Sequence, residues 1–225
     1  MFAMTDYSTF TLPNGLRMIY QQVPSQVSYA GFTVNAGSRD EAAGEDGLAH
    51  FVEHLLFKGT SRRRSWHILN RMETVGGELN AYTTKEETVI YSVFLSEHLA
   101  RAVELMSDLL LHSRFPAGEV EREVEVILDE INSYRDTPSE LIYDDFENAL
   151  FGGHALGHNI LGDSDTLLSF TPADGLRFLH THYTASNMVF FYRGALPFKR
   201  VVSTLQRYMS ECGEAVSARY REAPG

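Results

Sequence analysis

The chain has 225 residues, 44% of them hydrophobic, which is enough for a sizeable core. Its net charge of −11 argues against binding nucleic acid or an anionic membrane, since both call for clustered Lys and Arg; an acidic surface would suit a cationic peptide and also simply keeps a protein soluble. The single cysteine, Cys212, excludes an intrachain disulfide and fits a reducing compartment.

The first residues, Met1 to Tyr7, carry neither a basic segment followed by an apolar run nor an Arg-rich, acid-poor transit pattern. No apolar run approaches the roughly 20 residues of a membrane span. A cytoplasmic location is expected, or a periplasmic or organellar one if a presequence has been removed. Phe10 to Val23 reads as a hairpin turning at Asn14-Gly15, a pair that supplies positive φ. Ser28 to Ala36 reads as a buried strand, and the polar, Gly-rich stretch Gly37 to Gly47 as a loop into a helix that Gly59 ends. Arg62-Arg63-Arg64 reads as a solvated helix start.

Trp66 to Val75 is a predicted helix, followed by strands at Glu78 to Thr83 and Glu87 to Leu95, the second rich in Val, Ile, Tyr and Phe. Glu97 to His112 is amphipathic, with Leu99, Val103, Met106, Leu109 and Leu110 on one side. Pro116 opens a helix to about Tyr134 and Pro138 another to Leu150. A loop at Gly152 to Gly162, a helix at Pro172 to Tyr183, a strand at Met188 to Arg193 and a helix at Phe198 to Glu211 complete the series. The pattern predicts an α+β fold, one mostly antiparallel sheet with helices packed on it. Residues 1–212 are expected to form one domain, with 213–225 as a tail or the start of a linker.

The chemistry concentrates in Gly47-Leu48-Ala49-His50-Phe51-Val52-Glu53-His54. On a helix His50, Glu53 and His54 share a face, which is the H-x-x-E-H inversion of the H-E-x-x-H zinc helix. Two neutral imidazoles at i and i+4 can each give zinc a nitrogen, with the carboxylate left beside the metal's water. The motif alone leaves open an amphipathic core helix with two His at its polar edge. A catalytic zinc needs a third protein ligand. Glu123 and Glu130 lie two helical turns apart on one face with Val126 and Ile127, a face read as partly buried. Glu130 could complete the ligand set while Glu123 orients a ligating His. Spacing alone leaves this pair balanced against a solvated acidic helix, because Glu119, Glu121 and Glu125 are neighbours. His67, His98, His112, His154, His158, His180 and His182 have no partner at ligand spacing, so no second metal site is expected.

Taken together, these stretches resemble the N-terminal half of the zinc peptidase family that includes pitrilysin, insulin-degrading enzyme and the mitochondrial processing peptidases. The resemblance runs through Leu12-Pro13-Asn14-Gly15-Leu16, Gly37-Ser38-Arg39, the metal helix, Phe57-Lys58-Gly59-Thr60 and Gly76-Gly77-Glu78-Leu79-Asn80-Ala81-Tyr82-Thr83. It continues to Glu123 and Glu130, with Glu130 76 residues beyond His54 as in that family, and to Leu156-Gly157-His158-Asn159-Ile160-Leu161-Gly162, where His158 stands in place of a common Arg. The resemblance implies a metalloendopeptidase half in which His50, His54 and Glu130 hold one Zn2+, Glu53 is the general base on its water, and Glu123 supports the ligands. It also implies that Leu79, Asn80, Ala81, Tyr82 and Thr83 bind an extended peptide substrate by strand addition. A second homologous half-domain, in cis or in trans, or a second copy, is expected to close over the site and bring an Arg and a Tyr to the substrate carbonyl. Glu222 to Gly225 stands where the linker to that half would begin. The alternative is a non-catalytic assembly subunit; such proteins usually have an eroded metal motif, and here every residue of it is present.

Overall fold

The computed structural model describes residues 6–213 and 221–223. Six strands form one open sheet: β1 (Ser8–Thr11), β2 (Arg17–Gln22), β3 (Val27–Val34), β4 (Glu78–Thr83), β5 (Thr88–Leu95) and β6 (Met188–Gly194), in the order β1-β2-β6-β3-β5-β4. Every pairing is antiparallel except β2 with β6. The predicted α+β architecture is therefore the observed one, and the parallel pair follows from the long helical crossover that brings the chain back to β6. The first hairpin turns at Asn14-Gly15, with Gly15 at φ +86°; Asn14 Nδ2 donates to the carbonyls of Met209 and Cys212, tying the turn to the end of the helix Phe198–Met209.

Among the described residues eight α-helices follow or interrupt these strands: α1 (Leu48–Leu56), α2 (Ser65–Glu73), α3 (Leu99–His112), α4 (Ala117–Arg135), α5 (Pro138–Phe151), α6 (Ser164–Ser169), α7 (Pro172–His182) and α8 (Phe198–Met209). The sheet's inner face supplies Met18, Tyr20, Ala30, Phe32, Ile90, Phe94, Phe190 and Tyr192 to the core, where they meet Leu48, Phe51, Leu55, Val103 and Leu205 of the helices. The strands alternate, so their other residues form a second face. Cross-strand partners place Ile19, Val27, Tyr29, Tyr82 and Leu95 on it, each more than a third exposed, with the Phe191 ring lying over Gly31.

Three local readings differ from the structure. Arg63 is not solvated: its guanidinium pairs with Asp108 at 2.6 Å and Glu104 at 2.5 Å, because the apolar rim of α3 surrounds the fully buried Asp108 carboxylate, which needs a counter-charge. Val126 faces solvent, 51% exposed, and the buried stripe of α4 is instead Val120, Glu123, Ile127 and Ile131. Helix α6 was not anticipated, although Asp163 caps it by accepting the amide hydrogens of Asp165 and Thr166. Of the expected tail, residues 214–220 and 224–225 lie outside the described residues, while Arg221 is held by Asp40 at 2.8 Å.

Candidate metal centre

Helix α1 is almost wholly buried: Leu48, Ala49, Phe51, Val52, Leu55 and Leu56 are fully enclosed, so the helix has no freedom to rotate its remaining face. That face carries His50, Glu53 and His54. The imidazole rings stand 4.5 Å apart between centroids. Helix α4 crosses beside them and delivers Glu130, whose carboxylate oxygens lie 3.8 Å from His50 Nε2 and 3.5 Å from His54 Nε2. One atom from each of the three residues falls within 4.8 Å of the others, a set of two imidazole nitrogens and one carboxylate oxygen that can hold a divalent metal ion. Among the described residues His50 Nδ1 is buried with no hydrogen-bond partner, so apart from the Glu130 contact at Nε2 this ring is held by packing.

His54 is anchored differently. Its Nδ1 lies 2.8 Å from Glu123 Oε1, and Lys58 Nζ reaches Glu123 Oε2 at 2.5 Å. Glu123 is 6% exposed, and burial would raise its pKa; the His54 and Lys58 contacts outweigh that and hold the carboxyl below its ordinary value. Lys58, at the end of the metal helix, is a member of the site that sequence reasoning did not single out; it follows the helix by two residues and offered no periodic signal. Burial pushes the His50 pKa down to about 4, aided by charge on His54. For His54, burial pushes the same way but is overcome by the hydrogen bonds to Glu123 and Glu130, and the pKa is pushed up to about 9. The Glu130 hydrogen bond to His54 lowers the pKa of Glu130 in return.

Glu53 sits behind this set. Burial raises its pKa, partly opposed by Thr83 Oγ1, which donates to Glu53 Oε2 at 2.6 Å. Thr83 ends β4, the edge strand of the sheet, so the sheet edge and the metal helix are joined at the carboxylate. A cleft of about 470 Å³ opens over the site, lined by His50, Glu53, His54 and Glu130, by Ala81, Tyr82 and Thr83 of β4, and by Tyr134, Asp144 and the loop Asn159 to Leu161. Leu79 and Asn80 belong to the same strand but lie outside the cleft lining. The Ala81 amide hydrogen is taken by the Asn80 side chain at 2.8 Å rather than by a neighbouring strand. A second cluster was also missed: Glu41, Asp46 and His158 place ligand-type atoms within 4.8 Å of one another, because the loop after α5 folds back on the loop before α1.

Residues 17–164 match the family model described as insulinase (peptidase family M16), a match to more than half of the chain. The chain belongs to the insulinase peptidase family. It is 37% identical over 187 residues to an uncharacterized zinc protease, YmxG, of Bacillus subtilis, covering 82% of this chain and 46% of that protein. It is 35% identical over 202 residues to a probable mitochondrial-processing peptidase subunit beta of Arabidopsis thaliana, covering 89% of this chain and 38% of that one. In fold it superimposes with a TM-score of 0.90, at 18% identity, on a solved structure described as a peptidase M16 inactive domain from Pseudomonas fluorescens, covering 98% of this chain and 54% of that chain. The chain thus spans about half the length of the curated relatives it matches. Among the described residues no helix is long and apolar enough to cross a membrane.

Proposed function

We propose that this chain is the zinc-bearing half of a metalloendopeptidase that hydrolyses extended peptides. The observation that carries the reading is the convergence of His50 Nε2, His54 Nε2 and the Glu130 carboxylate beside a buried Glu53. These donors suit Zn2+: two imidazoles and one carboxylate leave a fourth position open. Bound there, zinc would polarise the scissile carbonyl and make water more acidic. Glu53 takes the proton of the attacking water and returns it to the leaving amine, and burial moves its pKa toward the neutral range where such a base works best. Thr83 holds Glu53 in place from the end of β4.

The substrate adds to the free edge of β4, where the Ala81 amide exchanges its Asn80 contact for a substrate carbonyl. Main-chain bonding of that kind fixes geometry without demanding a sequence. A second homologous half, supplied in cis or in trans, or a second copy, closes the cleft. Two observations support it: relatives about twice as long, and the apolar outer face of the sheet, which a lone soluble protein rarely leaves bare. A non-catalytic role is less well supported, because no member of the ligand set or the base is missing.

The test combines metal analysis with turnover of an unstructured peptide. The wild-type chain should carry one zinc, His54→Ala should carry none, and Glu53→Gln should keep the metal while losing about 10²–10⁴ in rate in the assembled enzyme. Zinc lost from Glu53→Gln would make Glu53 a ligand and refute the assignment of roles. Vigorous zinc-dependent cleavage by the strictly monomeric chain would refute the need for a second half.

A further inference from the structure

We propose that His158 is a positioning residue that, in its charged form, clamps the start of the metal helix to the loop walling the cleft; this rests on the metal-site reading only for its consequence, not for its geometry. Helix α1 begins after Gly47, at φ +96°, without a side-chain cap of its own. The orphan amides at a helix start need acceptors. Glu41 supplies them from outside the helix: Oε2 accepts the Gly47 amide hydrogen at 3.0 Å and Oε1 that of Ala49 at 2.7 Å. The Glu41 side chain is fully buried, so its negative charge, although well placed at the positive end of the helix dipole, needs a counter-charge.

His158 provides it. Nε2 lies 3.0 Å from Glu41 Oε2, and Nδ1 lies 4.0 Å from Asp46 Oδ1. The Nε2 contact is a hydrogen bond, while Asp46 at 4.0 Å adds a second nearby negative charge, and two carboxylates beside one ring favour the imidazolium. The hydrogen bond to Glu41 raises the His158 pKa against the opposing effect of burial. Lys85 faces the same segment, donating to the His158 carbonyl and pairing with Asp144 at 3.2 Å and Glu147 at 3.3 Å. His154 and Asp163 line the adjoining cavity of about 550 Å³ with Glu41, Asp46 and His158.

The clamp draws two backbones into contact. A Cβ on Gly162 would meet the Asp46 carbonyl oxygen at 2.1 Å, and one on Gly47 the Leu161 oxygen at 2.6 Å. The residues immediately after His158 (Asn159, Ile160 and Leu161) form the cleft wall, and the residues after Gly47 carry His50 and His54. One charged ring therefore sets the distance between the wall and the metal ligands. Loss of its proton removes the positive charge that offsets Glu41, whose pKa burial already raises, and leaves that buried carboxylate only the neutral donors of Gly47, Ala49 and His158. Because the folded pKa of His158 lies above its ordinary value, the clamp is complete below about pH 6.5 and is lost as pH rises through that raised value.

The experiment compares wild type, His158→Gln and His158→Arg by hydrogen-exchange protection of residues 47–50 and 157–162 in the zinc-free chain across neutral to alkaline pH, alongside zinc titration. Since His54 titrates in the same range, the comparison that decides is wild type against His158→Arg. His158→Gln should lower protection in both segments by roughly tenfold or more, the size of one charge-assisted hydrogen bond. His158→Arg, permanently charged, should restore it and flatten its alkaline decline. Unchanged protection in His158→Gln, or no recovery in His158→Arg, overturns the proposal. So does a second equivalent of zinc that binds wild type and is lost with His158→Gln, which would make Glu41, Asp46 and His158 a metal site instead. None of these readouts requires peptidase activity, so failure of the enzymatic reading leaves the clamp separately tested.

Discussion

Zinc entering this site should have to expel one proton, and the proton is on His54. In the metal-free chain the ring sits between Glu123 at 2.8 Å and Glu130 at 3.5 Å, and its pKa is pushed up to about 9. His50, pushed down to about 4, brings no proton at neutral pH. At pH 7 the metal therefore competes with a proton held about two pH units too tightly, a factor of roughly 100 in affinity or ~2.7 kcal/mol. The His54 proton should make apparent zinc affinity rise about tenfold per pH unit through neutral pH, a contribution that levels off near the His54 pKa. Competition against a chelator of known pH-corrected affinity, at fixed ionic strength, measures the slope. Calorimetry in buffers of different ionisation enthalpy counts protons directly: near pH 7 about one more is released than the zinc-bound water itself gives up, and that excess vanishes near pH 10. Release of no such excess at pH 7 would refute the reasoning, since the two carboxylates would then not be holding His54 charged. The same proton stabilises the zinc-free fold. The folded pKa is raised, so this contribution is full below about pH 6.5 and is lost as pH climbs through about 9.

Glu123→Gln keeps the size of the side chain and removes its charge, so zinc affinity measured above the His54 pKa, where no proton competes, should fall by about 10–100-fold. Proton release at pH 7 should fall with it as the His54 pKa drops; an unchanged affinity would make Glu123 a bystander. The bare sheet face should make the isolated chain self-associate in sedimentation experiments at micromolar concentration, and Ile19→Lys with Tyr29→Lys should return it to monomer with its zinc intact. A wild-type chain that stays monomeric throughout would show that this face needs no cover.

The strands and helices were legible wherever one period dominated. Glu78–Thr83 alternates residue by residue and Leu99–His112 repeats on a helical face, and both lie within a residue or two of expectation. Periodicity was misleading on α4, where the mixed polar and apolar positions from Glu119 to Ile127 fit more than one stripe. Val126 and Ile127 are adjacent, a helix cannot bury both equally, and only the packing of α4 on α1, α5 and α6 selects Ile127. Helix α6 escaped because six residues are too few for a period, and its evidence was the Asp163 cap rather than any pattern.

The site divides in the same way. His50, Glu53 and His54 were readable because a single helix fixes their relation, and a spacing of three or four residues is a statement about one face. Glu130 has no such local relation to them; it was identified by resemblance, and the geometric reason, α4 laid across α1, appears only in three dimensions. The supporting residues were less visible still. Lys58 acts on His54 through Glu123, two contacts removed from the motif. His158 acts from a loop on Glu41, 117 residues away. Glu41 in turn acts on the helix through backbone amides that any sequence would present. Groups that touch the reacting atoms are constrained by chemistry and leave a motif. Groups that hold those groups in place are constrained by the fold, and a position that asks only for a positive charge beside Glu41 is met by His158 here and could be met by another cation as well.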